Sequence, residues 1–237
     1  VTRSQGELQD EALRLSEHLL VDSSGTLRAS LRHCATNMVM RYAFSARVPY
    51  PTERTGAVST THAELFTLAS GIWSELTATS TFVSDLIGVP ANSPLRERLR
   101  QLVTRRNRLL TSLVKDRRSQ VRTSAQRDML DVLLDANLPE DDILYTLVDL
   151  FVAGVNTVSS TLEWTLLLTA KHPLEQTRAR VDALATGSGK ESRYVRALTR
   201  EVMRAKPPLL LPRQAVRDSS VGGYAVPQGC IVYANHW

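Results

Sequence analysis

The stretch PEDDILYTLVDLFVAGVNTVSSTLEWTLLLTAKHP, residues 139–173, decides the fold. Pro139 suits the first position of a helix, where a missing N–H costs nothing. Glu140, Asp141 and Asp142 follow at the positive end of the helix dipole, which favours acids. No breaker comes until Pro173 except Gly154, so the spacing predicts one helix of roughly 50 Å at about 1.5 Å per residue. Its middle, Leu147 to Val158, is apolar on nearly every side, with Asp149 and Asn156 the exceptions. A helix apolar all round is expected inside a core, and it needs more protein around it than this chain by itself supplies.

Working outward, amphipathic periodicity predicts helices over residues 5–20, 27–44, 61–76, 94–118 and 128–135 before the long one. Two more follow, over 173–184 and 192–205. The period then changes, and 214–216, 221–226 and 231–234 read as short strands, with Pro227-Gln228-Gly229 the turn between the last two. The fold class is therefore mainly α with a small β portion. We expect residues 1–237 to form one partial domain with both ends cut, because the chain opens on Val1 and stops within a strand pattern at Trp237.

Composition narrows the classes. Cys34 and Cys230 are far apart and form no C-x-x-C, which argues against a disulfide framework. The five histidines have no metal-ligand spacing, and there is no G-x-S-x-G elbow. Gly187-Ser188-Gly189-Lys190 lacks the first glycine and the preceding strand of a phosphate loop. No uncharged apolar run is long enough to cross a bilayer, so the chain is not expected to span a membrane. The net charge of +5 comes from Arg96 to Arg127, where ten arginines and one lysine face Glu97 and Asp116. No aromatic lies in that stretch, so a solvated helix face explains it better than nucleic-acid binding.

Two local patterns have both a plain and a functional reading. Gly154 in mid-helix costs about 1 kcal/mol relative to Ala, so something must approach the backbone there. That is either a crossing helix or a bound flat cofactor, and Asn156 and Thr157 beside it must find hydrogen-bond partners. Glu201 and Arg204, at i and i+3, read by themselves as a weak surface ion pair.

Taken in order, the features are more specific. Ala153-Gly154-x-Asn156-Thr157 is followed by Lys171-His172-Pro173, Glu201-x-x-Arg204, Pro207-Pro208, Leu211-Pro212-Arg213 and Val221-x-Gly223-Tyr224-x-Val226-Pro227-x-Gly229. The series resembles the cytochrome P450 family, especially its plant microsomal type, closely from about residue 128 onward. Upstream only the helix order and Asn37-Met38-Val39 agree. The resemblance implies a partial cytochrome P450 fold with a long central helix and short C-terminal strands. It implies a haem-dependent monooxygenase that hydroxylates a small apolar or aromatic molecule. Electrons would come from NADPH through a separate reductase, on the cytosolic face of the endoplasmic reticulum membrane.

By that resemblance Ala153 and Gly154 would face the haem and give dioxygen room. Thr157 would hydrogen-bond the oxygen and help deliver protons. Glu201 and Arg204 would form a buried structural ion pair, and Arg213 would hold a haem propionate. Val158, Leu209, Leu210 and Leu211 would line the substrate pocket. The iron-ligand cysteine is expected beyond Trp237. The family usually has an acid where Asn156 stands, and an amide can hydrogen-bond but cannot carry a proton. An alternative is therefore a non-catalytic relative that binds small molecules or proteins. The connection from Thr77 to Val89, with Phe82, Leu86 and Ile87, is expected to dip into a membrane surface.

Overall fold

A computed structural model of the chain describes residues 3–22, 26–53, 59–78, 93–119, 127–187, 190–208 and 213–233. The helices are α1 (Arg3–Val21), α2 (Leu27–Phe44), α3 (Thr60–Ala78), α4 (Pro94–Ser119), α5 (Met129–Asp135), α6 (Glu140–Lys171), α7 (Pro173–Thr186) and α8 (Arg193–Ala205). The strands are β1 (Arg213–Gln214), β2 (Ser219–Val221), β3 (Tyr224–Val226) and β4 (Ile231–Val232). The chain divides into two compact units, Val1–Ser159 and Ser160–Trp237.

In the first unit α2 packs against α1, α3 and α5, and α4 packs against α3. Thr26 caps α2 by accepting from the Ala29 amide. Asp128 and Asp131 form a reciprocal capping box that starts the seven-residue α5. The core is one cluster built from Met40 and Phe44 of α2, Leu65 of α3, Leu110 and Val114 of α4, and Leu130 of α5. Ile143, Leu147, Phe151 and Val155 of α6 enter it at four-residue spacing. Each contributes about 1.5–3 kcal/mol by leaving water, and together they bind α6 to the unit.

This stripe covers one face of the middle of α6. Val152, Ala153 and Val158 are exposed, and only 28% of the helix's most apolar window is buried. The physical reason is that a single face of α6 meets α2 to α5. Among the described residues α6 is the one helix long and apolar enough to cross a membrane by length and composition, but its packed stripe is that of a core helix.

A polar network secures α1 to α2 and to the segment after it. Glu11 is fully buried and accepts from Asn37 Nδ2 at 2.7 Å, Arg41 Nε at 3.1 Å and Arg47 Nε at 3.0 Å. Asn37 also pairs with both backbone groups of Val48, and Arg47 grips Glu53 with both terminal nitrogens. Tyr50 stacks between His18 and His33 at centroid distances of 4.8 and 4.3 Å.

In the second unit Asp182 of α7 accepts from the Tyr194 amide at 3.0 Å and from Ser192, the residue that caps α8. Lys206 lies 5.1 Å above the Trp164 ring. β1 pairs antiparallel with β4, setting Arg213 opposite Val232. The sequence pattern over 221–226 reads as one strand, but the structure has a hairpin there, with β2 and β3 joined at Gly222 and Gly223. Both glycines have positive φ, 58° and 84°, which a tight hairpin turn requires and which glycine adopts without strain. The first strand ends at Gln214 rather than running to Val216.

Candidate functional site

α6 carries five of the residues singled out in the sequence: Ala153, Gly154, Asn156, Thr157 and Val158. Ala153, Gly154 and Val158 line one open cavity of about 680 Å³, together with Leu8 of α1 and Met38, Val39 and Tyr42 of α2. The volume lies in the range of small-molecule sites, and the lining is mostly apolar. Charged groups in it are Glu7, Arg41 and Asp149, of which Arg41 is committed to Asp10 and Glu11.

The reason for Gly154 is a close approach. A Cβ at this position would lie 2.7 Å from Cγ2 of Val39, so α2 can pass α6 here only because the side chain is absent. On this side the glycine serves a helix crossing. The next residue of interest, Asn156, is buried, and its Nδ2 has no hydrogen-bond partner among the described residues. An unpaired buried amide donor costs about 1–3 kcal/mol. Thr157 is partly exposed and donates its hydroxyl proton to the Ala153 carbonyl at 2.5 Å.

In the second unit Arg204 reaches Glu201 through two nitrogens, at 2.8 and 2.6 Å. Arg204 beside it holds the Glu201 carboxyl below the usual carboxylate range. The ion pair expected from the sequence is therefore formed, but it is exposed, with side-chain accessibilities of 60% for Glu201 and 73% for Arg204. Among its helical residues α8 buries only Val202. Arg213 is exposed on β1. Leu209, Leu210 and Leu211 lie outside the described residues, as does most of the Thr77–Val89 connection.

Among the described residues no group of three or more His, Cys, Asp or Glu side chains could hold a metal ion. Cys34 is buried on α2, and burial pushes its thiol up to about 11, so it stays protonated. Cys230 is exposed just before β4. The Glu11 network was not apparent in the sequence. Asn37 was the one member with a motif around it, and no periodicity distinguishes a buried glutamate from an exposed one.

The family model for cytochrome P450 matches residues 9–237. The chain belongs to the cytochrome P450 family. Among its relatives, (S)-N-methylcoclaurine 3'-hydroxylase isozyme 2 of Coptis japonica, so named as probable, is 35% identical over 135 residues. That alignment covers 53% of this chain and 28% of the relative. Tryptamine 5-hydroxylase of rice is 28% identical over 251 residues, covering 95% of this chain and 47% of the relative. The chain thus spans less than half the length of the curated relatives it matches. A solved zebrafish cytochrome P450 with abiraterone aligns over all of this chain and 57% of its own, with a TM-score of 0.71 and 26% identity. The mainly helical architecture with short strands is a partial cytochrome P450 fold.

Within that family α6 is the helix that carries the Ala153-Gly154-x-Asn156-Thr157 series, and α8 carries the Glu201-Arg204 pair. The structure brings Ala153, Gly154 and Val158 to one cavity in the first unit and the Glu201–Arg204 pair together in the second.

Proposed function

We propose that the chain is part of a single haem-dependent monooxygenase domain that hydroxylates a small apolar or aromatic molecule. The match of one family model across both compact units supports a single domain. The observation that carries the activity is the helix α6, which presents Ala153, Gly154 and Val158 to an open apolar cavity with Thr157 on the adjoining turn. Relatives named as hydroxylases of tryptamine and of N-methylcoclaurine favour an aromatic substrate in plant secondary metabolism.

Haem is the group the family implies, and no side chain larger than a methyl stands on α6 at 153 or 154. Ala153 and Gly154 would face it, and the exposed Arg213 guanidinium would pair with one of its carboxylates. Bound there, haem supplies oxygen activation, while the protein supplies position and proton access. Thr157 would accept and pass a proton at Oγ1. Val158 on α6, with Leu209, Leu210 and Leu211, would shape the substrate pocket. Asn156 can orient the same site through its amide but adds no proton of its own. Electrons would come from NADPH through a separate reductase, at the cytosolic face of the endoplasmic reticulum membrane.

The test is the reduced carbon monoxide spectrum of the full-length gene product. A Soret band shifted to the red, as thiolate ligation produces, supports the proposal. A folded protein that takes up no haem rejects it. That second outcome would favour a binding protein without catalysis, the reading to which Asn156 in place of an acid points.

A further inference from the structure

We propose that the cavity between α1, α2 and α6 takes an apolar molecule carrying a protonated amine, with Asp149 as the partner of that amine. On the reading given above, on which this assignment rests, that molecule is the substrate. The apolar run of α6 is interrupted twice, at the buried Asn156 and at Asp149, which is exposed and lines the cavity beside Leu150, Ala153 and Val158. An acid on an apolar wall keeps its water only while the cavity is open. A ligand that covers it must replace that water with a cation or a hydrogen-bond donor, or bear the cost of stripping it.

The protein itself supplies no such group. Asp149 makes no hydrogen bond or ion pair among the described residues. The first basic residue on α6 is Lys171, about 33 Å further along the helix axis. Thr146, one turn before Asp149, gives its hydroxyl proton to the Asp142 carbonyl. Arg41 is the cation in the described lining, and it is held by Asp10 at 2.5 Å and by Glu11 at 3.1 Å, neither of which lines the cavity. Glu7 adds a second acid to the wall, so the cavity favours a cation over a neutral or anionic ligand. A metal ion is a poor candidate, because no group of three or more metal-ligating side chains occurs among the described residues.

The rest of the wall specifies what the cation is attached to. Ala153 and Thr157 follow Asp149 by about 6 and 12 Å along the axis. A nitrogen anchored at Asp149 thus leaves the remainder of the ligand lying along Ala153, Gly154 and Val158, a length that an aromatic ring on a short chain spans. Tyr42 of α2, 49% exposed, offers its ring face to such a ligand from the opposite side of the cavity.

The experiment is equilibrium dialysis of the full-length gene product against naphthylethylamine and its neutral counterpart naphthylethanol, both followed by naphthyl fluorescence. It requires neither turnover nor haem. At neutral pH the amine should bind about ten- to a hundredfold more tightly than the alcohol, the value of a hydrogen bond to a charged group. Asp149→Asn should bring the amine down to the affinity of the alcohol and leave the alcohol unchanged, whereas Asp149→Glu should keep most of the preference. Circular dichroism melting curves check that both variants fold, and the comparison of amine with alcohol on the unaltered protein is decisive even where one does not. Equal affinity for the two ligands, no saturable binding of either, or a preference that survives in folded Asp149→Asn would overturn the proposal. Equal affinity together with a red-shifted carbon monoxide band would overturn the amine assignment alone. An Asp149-dependent preference for the amine in a protein that takes up no haem would support the assignment and reject the monooxygenase reading.

Discussion

The Cα of Gly154 faces the side chain of Val39 so closely that a Cβ there would stand 2.7 Å from the Val39 methyl. β-Branched Val39 has little freedom to turn away. Gly154→Ala should therefore destabilise the chain by about 1–3 kcal/mol through overpacking, although Ala is the better helix former. The double variant Gly154→Ala/Val39→Ala should recover most of the loss, because it restores the space between α2 and α6. Urea midpoints of the two variants check this, and an equally unstable double variant would refute the crossing as the reason for the glycine.

Asn156 invites a stabilising substitution. Its buried Nδ2 has no partner among the described residues, so Asn156→Leu should gain about 1–3 kcal/mol, the cost of the unpaired donor. Asn156→Asp should lose stability at neutral pH, because it buries a charge where the amide already lacks a partner. Thermal unfolding of the three proteins checks the order Leu, Asn, Asp.

Glu11 is fully buried, and three side chains converge on it. Glu11→Ala leaves Arg41 and Arg47 without that carboxylate and should cost about 3–5 kcal/mol. The exposed pair Glu201–Arg204 is a useful contrast, since Glu201→Ala should change stability far less than Glu11→Ala does. Equal losses for the two variants would contradict the burial difference.

Two histidines make the stability depend on pH. Burial holds the His33 imidazole below its ordinary value of 6.5, against a bond from its Nε2 side to the Val48 carbonyl that works the other way. Burial also lowers His62, helped by Arg117. For a histidine lowered in the folded state, the unfolded chain takes up protons first. Stability is therefore full above 6.5 and falls as the pH drops below it. Asp10, lowered by its bond to Arg14, and Glu53, lowered by Arg47, add a second loss, which begins only as the pH approaches the ordinary carboxylate values of 3.8 and 4.5. Denaturant titrations between pH 7.5 and 5.5 should show the first loss, and His33→Gln/His62→Gln should flatten it.

Helix positions were legible in the sequence because periodicity, caps and breakers act over a few residues. Pro139, Pro173 and the apolar spacing between them set α6 to within a residue or two of its limits. The order of the family's motifs was legible for the same reason, since Glu201-x-x-Arg204 forms its pair within one turn of α8. What covers a side chain is a different matter. The middle of α6 reads as apolar all round, yet whether Val152 or Val155 is covered depends on where α2 and α4 pass. Glu11 has the sequence environment of a surface acid, and only the return of Asn37, Arg41 and Arg47 buries it. The glycine at 154 declared that something comes close, and only the packed structure shows that Val39 does so. By itself the sequence determined the elements, the family series and the basic face of α4, all properties of neighbours along the chain. The tertiary structure alone decided burial, the cavity beside Ala153 and the exposure of the Glu201–Arg204 pair. Those depend on residues distant in sequence, whose approach is set by the packing of whole faces.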